Sequence, residues 1–572
     1  MKTIPYRDAW GWLDEYRGTE FEGRWPNLRE FFHINRVRYP DNTVFKVFNP
    51  KEETFTYAEA EKKILAVANY LVANGVKPDD KIGVSGKNSP EWAIAYFAIA
   101  YTGAIVVPLD YALHDNEMEK LIEFGDVTRL FIDAERIKNI DKDGKLNLIK
   151  YALEPTDEYP FVLDLDGPSF YYERKKGDDV AAILFTSGTT GTPKGVMLTN
   201  DNLIADCYLA QSNMLLFPTD VFYAILPIHH AYTMLAVMFE AISCGCSIVF
   251  GKKLVVSQML KELKEGQVTM FLGVPLLFNK LIAGLMGGIR KKGIVVYGLI
   301  RGLMKFSGFL KKAFGFKGGK KWFKFLLKNI SLDNARICIC GGGPLPASTF
   351  KQFNELGIDF VQGYGLTETS PITHLNPIEA YREDSVGRNN KEVEVKIVDP
   401  DSDGNGMIYL RGPMIMKGYY KNPEATAEVL SEDGWLNTGD VGHEDEDGYL
   451  YLTGRAKNVI VTEGGKNVFP EEIEDKFQLY DDVAQICVIG YIIDPATKSE
   501  GIRAIVRPSA ALVKEFDEQG IERRIGEVIE EVNKTLQSYK KITRTTIVSE
   551  PLPLTSTSKI KRFEVIEKYG KD

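Results

Sequence analysis

Cysteine is sparse and unpatterned here. The six residues Cys207, Cys244, Cys246, Cys338, Cys340 and Cys487 include no Cys-x-x-Cys pair, so neither a zinc ribbon nor a dithiol couple is indicated, and reduced, buried thiols are expected. A basic excess is missing too: the net charge of −9 offers nothing to draw in a phosphate backbone, which excludes a general nucleic-acid binder. The first residues, Met-Lys-Thr-Ile-Pro-Tyr-Arg-Asp, contain no apolar h-region, so no secretory signal is read and a cytoplasmic location is expected. There is no internal repeat and no low-complexity tract. One uncharged run, the 18 residues 92–109, reaches the lower limit of a membrane span. Gly103 and Pro108 interrupt it, and it reads as a buried helix followed by a buried strand.

What is present fits a large globular protein. The 572 residues, 26% charged and 44% hydrophobic, exceed one core and predict about two to four domains. Apolar β-branched runs at Lys81-Ile-Gly-Val-Ser, Ala104-Ile-Val-Val, Ala181-Ala-Ile-Leu-Phe, Ser247-Ile-Val-Phe and Ala335-Arg-Ile-Cys-Ile-Cys alternate with helical patterns, as βαβ units and mixed, largely parallel sheets require. From about 384 to 454, short strands with turns at Asp403-Gly404, Asp433-Gly434 and Asp447-Gly448 suggest a β-rich subdomain. A separate α/β segment follows Lys457. Its amphipathic helix places Ile525, Val528, Ile529, Val532 and Leu536 on one face.

The most informative stretch is Phe185-Thr186-Ser187-Gly188-Thr189-Thr190-Gly191-Thr192-Pro193-Lys194-Gly195, which follows an apolar run. Glycines let backbone N–H groups approach phosphate oxygens, the hydroxyls add donors, and Lys194 adds charge. A Walker A loop is excluded, because no Gly-Lys-Ser/Thr stands four residues beyond the first glycine. With it, in order, come Gln362-Gly-Tyr-Gly-Leu-Thr-Glu-Thr369, Leu436-Asn-Thr-Gly-Asp440, Leu452-Thr-Gly-Arg-Ala-Lys457, Gly465-Lys-Asn-Val-Phe-Pro-Glu-Glu-Ile473 and Pro553-Leu-Thr-Ser-Thr-Ser-Lys-Ile-Lys-Arg562. Together these motifs resemble the adenylate-forming superfamily of acyl-CoA synthetases, aryl-CoA ligases, luciferases and peptide-synthetase adenylation domains.

The resemblance implies an α/β fold. It has a multi-subdomain N-terminal domain over 1–456 with mixed, largely parallel sheets and a β-rich part, and a small mobile α/β domain over 457–572. It also implies ATP, Mg2+ and CoA. Thr186, Ser187, Gly188, Thr189, Thr190, Gly191, Thr192 and Lys194 would hold the β- and γ-phosphates, Thr367 the α-phosphate, and Glu368 the Mg2+. Gly341, Gly342 and Gly343 with Gly363, Tyr364 and Gly365 would form the adenine slot. Asp440 would accept from the ribose hydroxyls, with Arg455 near ribose and phosphate. Lys559 would be the catalytic lysine of adenylation, although Ser558 stands where the family has glycine. Lys457 would be the hinge, and the Glu463-Gly-Gly-Lys-Asn467 turn would line a phosphopantetheine channel. His230 would lie near the acyl carboxylate and the thiol entrance, with His229 a core residue.

The substrate rests on two places. His229-His-Ala-Tyr-Thr233 lacks the aspartate that amino-acid-activating domains commonly carry there. Residues 288–332 hold twelve Lys or Arg and no Asp or Glu, similar to an insertion in long-chain fatty acyl-CoA synthetases. On a helical projection Val296, Leu299, Ile300, Leu303, Phe306, Leu310 and Phe314 share one face, with Arg301, Lys305 and Lys312 opposite. The segment reads as a surface for peripheral membrane contact, against the alternative of a helix packed on the domain with a solvated basic face. The reading is thus an acyl-CoA synthetase for a medium- to long-chain fatty acid. Its alternatives are an aryl- or other carboxylate-CoA ligase, an acyl-AMP ligase loading a carrier protein, and a non-catalytic ATP- or lipid-binding module.

Overall fold

The uncharged run at 92–109 does fold as a buried helix and a buried strand. Ser89 caps the helix Pro90–Tyr101 by accepting from Trp92 N at 3.1 Å; Pro90 fits the first turn, where its missing N–H costs nothing. From Trp92 to Tyr101 every residue of that helix is buried, which is why this part carries no charge; Glu91 in the first turn is half-buried. After it the strand Ile105–Pro108 enters the middle of a sheet.

The computed structural model describes residues 5–186, 193–253, 255–462, 466–494, 499–555 and 559–570. Ser187, Gly188, Thr189, Thr190, Gly191 and Thr192 of the phosphate-loop motif, residues 463–465 of the pantetheine turn, and Ser558 lie outside the described residues.

Three sheets organise the chain. A 13-stranded sheet runs from a parallel block, Asp359–Tyr364, Ile337–Cys340, Met270–Gly273, Val221–Ala224, Ser247–Phe250 and Thr43–Val47, into antiparallel strands between 374 and 455. A seven-stranded sheet centres on the parallel strands Lys81–Ser85, Ile105–Pro108 and Val127–Ile132. Between these two lies the largest core, in which Phe31, Phe32, Phe97, Tyr208 and Phe239 meet as aromatic pairs. Burial of such rings is the main driving force for the assembly. The strands at 387–455 with their Asp-Gly turns are short and antiparallel, and Gly404, Gly434 and Gly448 all have φ near +80°.

Residues from Ile460 onward form a five-stranded sheet with its own core. The helix Glu518–Thr535 buries Ile525, Val528, Ile529 and Val532 against it, and Leu536 caps that face from just beyond the helix end. The six cysteines are all free; five are buried and Cys244 is half-buried. No helix among the described residues is long and apolar enough to cross a membrane.

The insertion packs on the domain through Met304, Ser307 and Lys311, with Lys305 and Lys312 exposed. Ile294–Phe314 is one continuous helix despite its glycines, but its apolar stripe faces outward: Leu299 and Phe314 are 65% and 73% exposed. The inward face carries Arg301, bonded to Glu355, and Lys311, bonded to Asn354 and Asp359. The packed edge of the helix matches neither projected face: Ile300, placed with the apolar stripe, lies half-buried beside Arg301, while Lys305 and Lys312, placed opposite the stripe, are exposed, because acids of the neighbouring helix Ala347–Glu355 and strand Asp359–Tyr364 draw Arg301 and Lys311 inward.

Candidate active site

Chemistry-bearing residues gather where parallel strands end. Val221–Ala224 leads to His229 and His230, Ile337–Cys340 to Gly341, Gly342 and Gly343, and Asp359–Tyr364 to Gly365, Thr367 and Glu368. From the second sheet, Ile105–Pro108 supplies Asp110 and Val180–Thr186 supplies Thr186. Crevices of open α/β sheets form at such carboxyl ends, where the strand order leaves room between loops.

Thr186 and Lys194 are cross-strand partners at the mouth of an antiparallel hairpin, so the phosphate-loop motif connects two strands and does not open a helix. Lys194 Nζ lies 4.7 Å above the ring of Tyr419, whose hydroxyl donates to Glu368 Oε1 at 2.9 Å. Burial, then the Glu368 charge, pushes the Tyr419 phenol up, so it stays a donor. The backbone clamps this arrangement: Met416 N donates to Glu368 O at 2.9 Å and Tyr420 N to Gly195 O at 2.7 Å. Tyr419 was not singled out in sequence; its reach to both motifs depends on the pairing of Gly418–Tyr419 with Lys194–Thr199.

Two of the glycines expected at the adenine slot are sites of close approach. A side chain at Gly341 would meet the Tyr232 ring at 3.0 Å, and one at Gly365 would fall 1.3 Å from Pro371 O. Tyr232 is itself fixed, its hydroxyl donating to Ile339 O at 3.2 Å and Gly273 O at 3.3 Å. Tyr364 ends its strand with its hydroxyl donating to Asp440 Oδ2 at 2.7 Å. Arg455 Nε holds the other oxygen, Oδ1, at 2.9 Å, because Asp440 and Arg455 are register partners on adjacent strands. Asp440 is only 6% exposed, so this charge-assisted network fixes its carboxylate. Arg455 is held above the usual guanidinium range by Asp440.

Two lysines converge on that pair. Lys457, in the short turn Ala456–Asn458, is pushed below the usual lysine value by desolvation and then by Arg455, with Lys194 adding to the effect. Lys559 is likewise lowered by desolvation and Arg455, opposed by Asp440. Both residues are exposed. Lys559 is tied to Thr555: Thr555 N donates to Lys559 O at 2.8 Å and Lys559 N donates to Thr555 Oγ1 at 3.1 Å. Gln478 joins this segment's domain to the glycine loop: it accepts from Asn279 Nδ2 at 2.9 Å and donates to Pro344 O at 3.3 Å.

His230 precedes the helical stretch from Ala231, its ring centroid 4.4 Å from that of His229. Desolvation, then His229, lowers its pKa to about 3, with Lys559 acting in the same direction and Asp110 opposing. It is therefore a neutral imidazole at physiological pH. His229 Nε2 lies 3.5 Å from Asp110 Oδ2. Ligand atoms of Asp110, His229 and His230 all lie within 4.8 Å of one another, a borderline donor set unlike the oxygen ligands Mg2+ takes, and the Lys559 charge opposes a second cation there. Glu368 is the better fit to Mg2+: a half-exposed carboxylate with one oxygen held by Tyr419 keeps hard-oxygen valence for the metal.

The structure thus brings Lys194 and Glu368 together through Tyr419, and joins Tyr364, Asp440 and Arg455 in a network whose field reaches Lys457, Lys559 and, through Lys559, His230. Tyr232 and Asp110 also belong to the site's walls. Asp110 had a readable signal, an acid directly beyond a strand end; Tyr419 had none.

Known proteins share this framework. Residues 32–420 match the model of the AMP-binding enzyme family, and residues 457–572 that of the AMP-binding enzyme C-terminal domain. A feruloyl-CoA synthase of Amycolatopsis sp is 28% identical over 96% of this chain and 99% of its own. A long-chain-fatty-acid–CoA ligase of Bacillus subtilis (strain 168) is 26% identical over 86% of this chain and 88% of its own. In fold, the chain is similar to o-succinylbenzoate coenzyme A synthetase from Bacillus subtilis, in complex with ATP and magnesium ion, with a TM-score of 0.73, 23% identity, and coverage of 95% and 99%.

Proposed function

This chain belongs to the AMP-binding enzyme family, and on that premise we propose that its acid–thiol ligase chemistry serves a medium- to long-chain fatty acid, with ATP and CoA as co-substrates. In the first half-reaction a carboxylate oxygen attacks the α-phosphorus of ATP and pyrophosphate leaves. In the second, the CoA thiol attacks the acyl-adenylate carbonyl, AMP leaves, and the thiol proton passes to solvent.

The residues divide that work by charge. Lys194, with the loop it closes, binds the β- and γ-phosphates, and Thr367 donates to the α-phosphate. Glu368 would hold Mg2+, which supplies neutralisation of polyphosphate charge. Asp440 accepts from the ribose hydroxyls, and the glycines at 341–343 and 363–365 border the adenine. Arg455 and Lys559 repel each other until anions arrive, as their effect on the Lys559 pKa reflects; binding a carboxylate beside the α-phosphate relieves that repulsion. Neutral His230 hydrogen-bonds the carboxylate without adding charge. Lys457 is the hinge about which residues 457–572 turn for thioester formation, exchanging the Gln478 contacts for the thiol route.

One observation supports the apolar acid. Beyond His230 the stretch Met234–Phe239 is a π-helix in which Met, Leu, Ala, Val, Met and Phe are all buried, and π-helical turns concentrate at functional sites. These six side chains belong to the main core that adjoins His230, and the next residue, Glu240, is buried with Gln211 donating to its Oε2 at 3.1 Å. The test is AMP and acyl-CoA formation with ATP, Mg2+ and CoA, using straight-chain acids from acetate to oleate, benzoate and coumarate. A rate maximum at medium or long chain is expected. Turnover of the aromatic acids alone would move the assignment to an aryl-CoA ligase, AMP release only with a carrier protein would change the acceptor, and no acid-dependent pyrophosphate exchange would make the chain a non-catalytic module.

A further inference from the structure

We propose that residues 294–325 dock the protein on an anionic lipid bilayer, with the helix Ile294–Phe314 lying along the surface. The inference stands on how this helix is attached, apart from which acid is activated.

An amphipathic helix at a protein surface ordinarily buries its apolar stripe. This one is turned the other way. Its inward face consists of Tyr297, Ile300, Arg301, Met304, Ser307 and Lys311. Arg301 Nη1 donates to Glu355 Oε2 at 3.0 Å, and Lys311 Nζ, 93% buried as a residue, donates to Asn354 Oδ1 at 2.8 Å and Ile358 O at 2.9 Å beside Asp359 Oδ1 at 2.8 Å. Rotating the helix to bury the stripe would leave Glu355, itself 2% exposed, without its Arg301 partner, a costly state for an enclosed carboxylate. The outward orientation is therefore locked by buried charge.

Outside stand Leu299, Leu303, Phe306, Phe309, Phe314 and Trp322, each between 43% and 73% exposed. Phe306 and Trp322 stack at 6.4 Å with an interplanar angle of 3°, extending the apolar face onto the following segment. Around it Lys291, Lys292, Lys305, Lys321, Lys324 and Lys328 are exposed, and residues 288–332 contain no carboxylate side chain. Acids from elsewhere in the chain are taken up by other lysines of the segment: Asp359 pairs with Lys311 and Lys317, and Glu383 with Lys312. Apolar side chains of this size rimmed by unneutralised lysines match an acyl-chain boundary beneath anionic headgroups. A second copy matches poorly, because a two-fold contact would set one lysine rim against its twin.

The test is co-sedimentation of the full chain with vesicles of phosphatidylcholine and phosphatidylglycerol, compared with phosphatidylcholine alone and without any acid substrate. Two triple variants of exposed residues are compared: Leu299→Gln/Leu303→Gln/Phe309→Gln and Lys305→Glu/Lys321→Glu/Lys324→Glu. Wild type should partition onto the anionic vesicles and less so at about 1 M salt. The apolar variant should partition about 100-fold more weakly and the charge variant about tenfold, losing preference for the anionic lipid, while pyrophosphate exchange with a soluble acid stays at the wild-type rate. Failure of wild type to bind vesicles, or unchanged binding in both variants, overturns the proposal. A dimer that the apolar variant dissociates, or binding only to an acidic protein partner, overturns it in favour of that occupant.

Discussion

Replacing Lys559 by alanine should abolish most of adenylation while leaving the fold nearly untouched. Among the described residues its ammonium makes no hydrogen bond; the turn around it is held by backbone and by Thr555. Its folded pKa is lowered, so the folded state binds this proton less tightly than the unfolded chain does. The group therefore subtracts stability below the folded pKa, and the deficit disappears as pH rises past the ordinary lysine value. Alanine removes that deficit, and the melting temperature should hold or rise slightly. In catalysis, a unit charge roughly 4 Å from developing charge at an effective dielectric near 20 is worth about 4 kcal/mol, or about a thousandfold in rate. Acid-dependent exchange of labelled pyrophosphate into ATP should fall by roughly that factor, within the range for losing one preorganised electrostatic contact. Thioester formation from supplied acyl-adenylate should change by less than about threefold, a partition that a merely structural lysine would not produce. The wild-type exchange rate should also decline with rising pH earlier than an ordinary lysine would require, a limb that Lys559→Arg should lack. Full exchange activity in Lys559→Ala would refute the reasoning.

Other consequences follow from the same geometry. Asp440→Asn keeps the shape but removes the charge facing Arg455; loss of charge-assisted bonds worth about 2 kcal/mol should raise the KM for ATP roughly 30-fold, measured by initial rates. Tyr419→Phe deletes the 2.9 Å bond to Glu368 and should raise the Mg2+ concentration for half-maximal activity several-fold, with little effect on the KM for the acid. Lys457→Pro should block domain rotation, sparing pyrophosphate exchange while thioester formation falls by about tenfold or more; equal losses in both would contradict a hinge. Asp133, 5% exposed, has its pKa raised by burial to about 6 from 3.8. Because the folded state holds this proton more tightly, stability should fall as pH rises from about 4 to 6, by about 3 kcal/mol in all. Asp133→Asn should flatten that part of the denaturation profile.

Sequence alone determined what is local. The strand at Lys81–Ser85, the buried helix at Pro90–Tyr101 and the amphipathic face of Glu518–Thr535 follow from hydrophobic spacing and caps, which depend on neighbours within a few residues. The residue types for phosphate, ribose and metal could be named because each motif is contiguous. Tertiary structure decided what is not local. Tyr419 stands between Lys194 and Glu368 because two distant strands pair, and no pattern within its own segment records that. The depressed pKa values of Lys457, Lys559 and His230 arise first from desolvation in the folded chain, to which distant cations add: Lys194 acts on Lys457, Arg455 on Lys559 and Lys559 on His230. The Ile294–Phe314 helix shows the division most clearly. Its periodicity gathers most of the large apolar side chains into one stripe, but buried ion pairs with Glu355 and Asp359 set the edge that packs, take Ile300 inside and leave Leu299, Leu303, Phe306 and Phe314 outside.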